Sequence, residues 1–193
     1  QLLERLSSLL RNESRSLLGD YGLLPVQFEA LHYLTICNRY SDTPMAVTEF
    51  LGQTKGTVSQ TLKVLEKKGF LEKKANVDDK RMTRLVITKT GKSLVKKILP
   101  SPALNLVSTH MTEETILTTN SYLRSLLYYL QSANKFKTFG QCETCQHNVK
   151  KGSGNYLCGL TNERLTKREV KLICRDHAFI HQERGAPMTS LDP

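Results

Sequence analysis

No apolar run of about 18 residues occurs anywhere in the chain, so no transmembrane helix is expected. The opening stretch, QLLERLSSLLRNESRS, has no basic start followed by an apolar block, which argues against a secretory signal. Its first residue is Gln1 rather than Met, so further native residues are expected ahead of it. Enzyme signatures are missing as well. There is no HExxH pair, no Gly-rich phosphate loop and no convincing nucleophile beside a base. These absences point to a non-catalytic, cytoplasmic protein without a membrane partner. At 193 residues, 39% of them hydrophobic, the chain can bury one real core, with room for a small appendage.

Charge is present in excess and is unevenly placed. The formal net charge is +10. Residues 55–97 hold 13 Lys/Arg against 4 Asp/Glu, whereas the rest of the chain holds 15 against 14. Such a patch attracts a polyanion, because neutralised phosphates release condensed counterions.

The basic stretch has a readable shape. A short helix is expected from Pro44 to Leu51, then a turn at Leu51-Gly52-Gln53. A second helix runs from about Thr54 to Gly69, and Gly69 is placed as its C-cap. In that helix Val58, Leu62 and Leu65 fall at i, i+4 and i+7, one apolar stripe. Lys55, Thr57, Ser59, Gln60, Thr61, Lys63 and Lys67 are assigned to the opposite face. Short hydroxyls, an amide and ammonium groups there can reach base edges and phosphates. A two-stranded ribbon follows, FLEKK and RLVIT, joined by the loop ANVDDK. A helix-turn-helix carrying a basic β-wing is a DNA-docking geometry.

The segment LLPVQFEALHYL, this helix pair, the phrase VLEKKGFLEKK, the loop DDKR and the closing LVITKTGK resemble the winged-helix domain of the MarR family of bacterial transcription regulators. The resemblance covers roughly residues 1–135. It implies a mainly α fold with a small β-wing and long terminal helices that interlock two subunits. It also implies binding to a palindromic duplex operator, commonly as a repressor released by a small ligand or by oxidation. By this resemblance Lys55, Thr57, Ser59, Gln60 and Lys63 would meet bases or phosphates in the major groove. Lys80, Arg81 and Arg84 would grip the backbone or minor groove. The family wing usually reads Asp-Arg-Arg, and here it is Asp79-Lys80-Arg81. Lysine lacks arginine's planar bidentate fork, which weakens the case for fine recognition at position 80, whereas Arg81 keeps the match.

The flanks are helical. Leu2, Leu3, Leu6, Leu9, Leu10, Leu17 and Leu18 recur near a helical period across residues 1–19, and a helix this apolar needs a partner. Asp20-Tyr21-Gly22 breaks it. Pro25 opens the next helix, predicted to reach about Arg39 with Phe28, Leu31, Leu34 and Thr35 inward. Cys37 reads as a buried structural thiol and His32 as a packed or surface side chain. KTGKSLVKKIL starts a further helix that Pro100 and Pro102 interrupt. A last long helix is expected from about Glu113 to Lys135, where Tyr122, Tyr128 and Tyr129 fit a core or dimer seam.

Composition changes near Phe139. Four of the five cysteines follow, Cys142, Cys145, Cys158 and Cys174, spaced C-x2-C-x12-C-x15-C. A CxxC turn points two sulfurs at one centre, and two later cysteines can complete a tetrahedron. A segment of about 40 residues needs a staple, and a bound metal supplies one. Residues 139–182 are therefore assigned as a cysteine-rich metal-binding module, with 183–193 as a tail. Zinc in a closed structural site is preferred. An iron–sulfur cluster, 4Fe–4S or 2Fe–2S, is the alternative, since the later cysteines lack a second CxxC knuckle. Small accessory subunits that carry 4Fe–4S clusters show a similar scatter of cysteines. Cys142, Cys145, Cys174 and His177 form a rival ligand set, with His147 and His181 nearby.

Three functions remain in view. One is a dimeric DNA-binding regulator. Another is a redox or metal sensor whose cluster controls DNA binding. The third, a metalloenzyme, would need an open coordination position that four protein ligands deny. A winged helix used only to bind protein sits poorly with the lopsided charge.

Overall fold

The computed structural model describes residues 1–76, 81–134, 137–152 and 154–179. It forms two compact units, Gln1–His110 and Met111–Pro193. The division falls ahead of the last long helix, not at the residue-135 boundary read from the sequence.

In the first unit the helices are α1 (Leu2–Leu18), α2 (Pro25–Ile36), α3 (Pro44–Leu51), α4 (Lys55–Lys67), α5 (Lys89–Ile98) and α6 (Pro102–Thr109). Strands β1 (Leu71–Ala75) and β2 (Thr83–Ile87) pair antiparallel, with Lys73 opposite Leu85 and Lys74 opposite Arg84. The helix starts are locally encoded. Thr43, Thr54 and Thr88 accept hydrogen bonds from the N–H groups of Ala46, Thr57 and Gly91, at 3.2, 3.2 and 3.1 Å. Each satisfies a first-turn donor that the helix itself leaves unpaired. Pro44 then occupies a position where a missing N–H costs nothing.

The core gathers Leu18, Ala30, Leu31, Tyr33, Val47 and Leu65, each fully enclosed. Tyr33 keeps its ring 4.4 Å from that of Phe50, and its hydroxyl donates to the Ser41 carbonyl at 2.9 Å. Thr35, expected inside, is half-buried. α2 stops three residues earlier than predicted, and Cys37 caps it. Burial pushes the Cys37 thiol up to about 12, and the Asp42 carboxylate adds to that. It stays a thiol at neutral pH, and it is half-buried where the sequence reading had it buried.

α6 was not anticipated. Pro102 opens it instead of ending its predecessor. Glu13 of α1 secures its first turn, accepting from Ser101 Oγ at 2.7 Å and from the Ala103 N–H at 2.8 Å.

Among the described residues the second unit holds α7 (Glu113–Ala133) and five short strands. β3 (Gly140–Gln141) pairs with β7 (Ile173–Cys174). β4 (Asn148–Lys150), β5 (Tyr156–Cys158) and β6 (Glu163–Leu165) make an antiparallel sheet. Among the described residues its enclosed apolar side chains are Phe139, Leu165 and Val170, beside Cys142 and Cys145. Phe179 bonds the strands to the helix by ring contact: its centroid is 4.5 Å from Tyr128 of α7 and 4.5 Å from His177. No described helix is long and apolar enough to cross a membrane.

Candidate nucleic-acid interface

α4 turns Val58, Leu62 and Leu65 into the core, at 1, 2 and 0% exposure. Lys55, Thr57, Ser59, Gln60, Lys63 and Lys67 lie on its exposed side. Thr61 does not. It is 4% exposed, because it follows Val58 by three positions and precedes Leu65 by four, which puts it on the apolar stripe. The assignment of Thr61 to the reading face is corrected accordingly. Lys68 closes the helix as C-cap, and Gly69 behind it has a φ of +73°, the left-handed conformation that releases the chain into β1.

The wing stands beside this face. On one side of the ribbon Leu71 and Leu85 are buried, and Lys73 reaches back to Glu66 of α4 at 2.6 Å. On the other side Lys74 is exposed and pairs with Glu72 at 3.2 Å. Arg81 is exposed near the foot of β2. Lys80, with Asp79, lies outside the described residues.

Arg84 is held differently from the other wing cations. Its Nε lies 2.8 Å from Asp42 Oδ1, and its Nη2 donates to the Arg39 carbonyl. The Leu85 N–H donates to the Asp42 carbonyl at 2.8 Å. One residue in the α2–α3 connection thus holds β2 by both side chain and main chain. Burial raises the Asp42 carboxyl above its usual range, and the Arg84 guanidinium pulls it partly back. Sequence reading missed Asp42, since nothing local marks it as a partner for a residue 42 positions on.

A cleft of about 290 Å³ opens against α3, α4 and the wing. Met45, Thr48, Val58, Ser59, Lys55 and Lys73 are among its lining residues. Apolar side chains and Lys55 share its lining, and Lys73 in the same lining is already paired with Glu66.

In the second unit the cysteines form no disulfide, and they lie at a 3-10 turn and at the ends of two strands. Cys142 and Cys145 are buried, and Cys158 and Cys174 half-buried. A single 3-10 turn joins Cys142 to Cys145, whose N–H donates to the Cys142 carbonyl at 3.1 Å. Cys174 sits opposite Gly140, and Cys158 opposite Asn148. Among the described residues no group of three or more His, Cys, Asp or Glu is drawn close enough to hold a metal ion. His177 is already engaged: Thr138 Oγ1 lies 3.0 Å from Nδ1 and Thr144 Oγ1 3.0 Å from Nε2. Burial holds its pKa below the usual imidazole range. Each ring nitrogen thus faces a threonine hydroxyl. His181 lies outside the described residues.

Comparison with known proteins matches this geometry. The MarR family model matches residues 21–82 and ends well before the four clustered cysteines. The transcriptional repressor MprA of Escherichia coli (strain K12) is 28% identical over 94 residues, 49% of this chain and 53% of that protein. The chain therefore spans about half the length of the curated relative it matches. A point mutant of MepR from S. aureus is 25% identical with a TM-score of 0.52, covering 67% of this chain and 96% of that one. MepR from S. aureus in its DNA-binding conformation is 24% identical with a TM-score of 0.57, over the same shares, 67% and 96%. The fold is mainly helical with small antiparallel sheets, as in the winged helices of the MarR type.

Proposed function

We propose that this chain is a MarR-type transcription regulator that binds duplex DNA as a homodimer, acts as a repressor and is not an enzyme. The observation that carries the reading is the polar and cationic side of α4 standing next to a basic hairpin. Ser59 and Gln60 are assigned to base edges, Lys55, Thr57 and Lys63 to bases or phosphates, and Arg81, with Lys80, to the minor groove or backbone. Arg84 serves the wing by positioning it, given its ties to Asp42 and Arg39. The dimer reading is supported by apolar side chains left in water on α1 and α7, among them Leu2 at 82% and Leu117 at 63% exposure. A small-molecule effector would find its opening in the cleft against α4, where an occupant touches Ser59 and Lys55.

Operator binding by fluorescence anisotropy, with fragments from the gene's own upstream region, tests the reading. Arg81→Ala is expected to weaken binding by at least ~1 kcal/mol, and Lys63→Ala to weaken it evenly across sequences. Gln60→Ala should relax preference at particular base pairs. Wild-type protein that associates with no duplex at low ionic strength would end the proposal.

A second reading concerns the cysteines. We assign Cys142, Cys145, Cys158 and Cys174 to a metal centre, structural zinc first and a redox-sensing iron–sulfur cluster second. Its support is the small core enclosed among that unit's described residues, Phe139, Leu165 and Val170, too little to hold some 40 residues unaided. Metal content and visible absorbance after anaerobic purification decide it. One zinc without colour keeps the structural site, a brown chromophore keeps the cluster, and metal-free folded protein removes both.

A further inference from the structure

The winged helix is not the chain's only segregated basic surface. In the second unit Lys150 ends β4 and Lys151 follows it, with the Lys151 N–H donating to the Asn155 carbonyl at 2.8 Å to fix the hairpin. Lys150, Tyr156 and Leu165 occupy one cross-strand row. The chain leaves that row through Thr166 to Lys167, so a third lysine arrives at the same end of the sheet.

Gly154 brings Lys167 close. A Cβ at position 154 would sit 2.5 Å from Lys167 Cε and 3.3 Å from its Nζ. The bare backbone there, at a φ of +80°, lets the lysine lie across the hairpin loop. Lys150, Lys151 and Lys167 are all exposed, and none has an ion pair among the described residues.

Between Tyr156 and Leu172 the acidic residues are Glu163 and Glu169. Glu163 faces Cys158 at the far end of the sheet. Glu169 accepts from both the Thr166 N–H and the Thr166 hydroxyl at 2.9 Å. Three ammonium groups on one hairpin end make a point-charge cluster. Ammonium point charges suit phosphate oxygens at large, not a particular base or a shaped carboxylate partner.

We propose that this hairpin end of the cysteine-rich unit is a second contact for duplex DNA, gripping phosphates outside the stretch covered by the winged helix. It rests on the DNA-binding reading above. The partner follows from charge complementarity with a polyanion that the other unit already engages. The contact adds affinity and salt dependence without sequence information.

The test uses the full chain on two duplexes, one limited to the winged-helix site and one extended on both sides. Lys150→Ala, Lys151→Ala and Lys167→Ala are combined, and a Lys→Arg triple serves as the charge-keeping control. On the extended duplex the Ala triple should bind about tenfold more weakly, with the slope of log K against log salt reduced by about 0.9 per lost phosphate contact. On the short duplex it should match wild type, and the Arg triple should match on both. An Ala triple that keeps wild-type affinity and slope on the extended duplex overturns the proposal. So does an acidic protein bound by wild type and lost in the triple while the DNA slopes stay equal. Wild-type protein that binds neither duplex points to a different failure, that of the DNA reading itself. The three positions are exposed, so equal melting temperatures confirm that the fold is retained.

Discussion

Arg84 has a role in the fold that its sequence setting does not show. It stands in a basic hairpin and reads as one more phosphate contact. In the fold it faces Lys74 directly across the ribbon, a like-charge pair that destabilises unless offset. Asp42 offsets it at 2.8 Å, on side chains 22 and 23% exposed. The two partners are not equivalent. Burial already disfavours the Asp42 charge, so removing Arg84 strands a half-enclosed carboxylate, whereas Asp42→Asn removes the costly charge itself. Arg84→Ala should therefore cost on the order of 1.5–3 kcal/mol in urea unfolding at neutral pH, and Asp42→Asn clearly less. The sign of the pH effect follows. A carboxyl with a raised folded-state pKa binds its proton more readily in the fold than in the unfolded chain, and loses that advantage as pH rises through the folded value. The Arg84→Ala deficit should accordingly narrow as pH falls from neutral into the acid range. Equal costs for the two variants, or a deficit that widens in acid, would contradict this account.

At the level of elements, legibility followed the punctuation. Thr43-Pro44, Thr54 and Thr88 mark helix starts by side-chain chemistry that acts over three residues, and α3, α4 and α5 begin where those signals stand. α6 escaped because two prolines close together read as a stop. Its start depends on Glu13, almost ninety positions away, which no local pattern reveals. The strands of the second unit are two or three residues long, too short for an alternating pattern to declare itself. The join between wing and α5 shows what local reading omits. A Cβ on Gly91 would stand 2.2 Å from the Phe70 carbonyl oxygen and 2.9 Å from Ile87 Cγ1. Main chain cannot yield as a flexible side-chain tip can. Gly91→Ala should lose about 2 kcal/mol or more by forcing α5 off the wing. Gly19→Ala provides the contrast, since it has open space and an ordinary helical conformation. It should be neutral or gain about 0.5 kcal/mol. Thermal melts of the two variants separate close approach from mere backbone freedom, and equal melting points would refute the distinction.

For the whole molecule, the placement of charge was visible in the residues, and so was the exposed polar side of α4 apart from Thr61. Which elements carry the cysteines was not: Cys142 and Cys145 flank a 3-10 turn, whereas Cys158 and Cys174 end short strands. The apolar stripes of α1 and α7 were also visible, and each remains uncovered within its own unit. Leu6, Leu9, Leu123, Leu127 and Leu130 are between 49 and 55% exposed. A monomer rarely leaves apolar patches of this extent in water. Covering them returns roughly 25 cal/mol for each Å² removed from solvent. A second copy of the chain brings the same stripes, and the proposed operator-binding mode places one winged helix in each half-site, so a two-fold dimer meets both demands. Folding and association are then linked, and the unfolding midpoint should rise with protein concentration. Leu127→Glu sets a charge into the stripe. It should give a monomer by sedimentation, a midpoint independent of concentration, and weaker binding to a palindrome with little change on a single half-site. A wild-type chain that sediments as a monomer at tens of micromolar, with a concentration-independent midpoint, would mean that the stripes are covered by something other than a second copy.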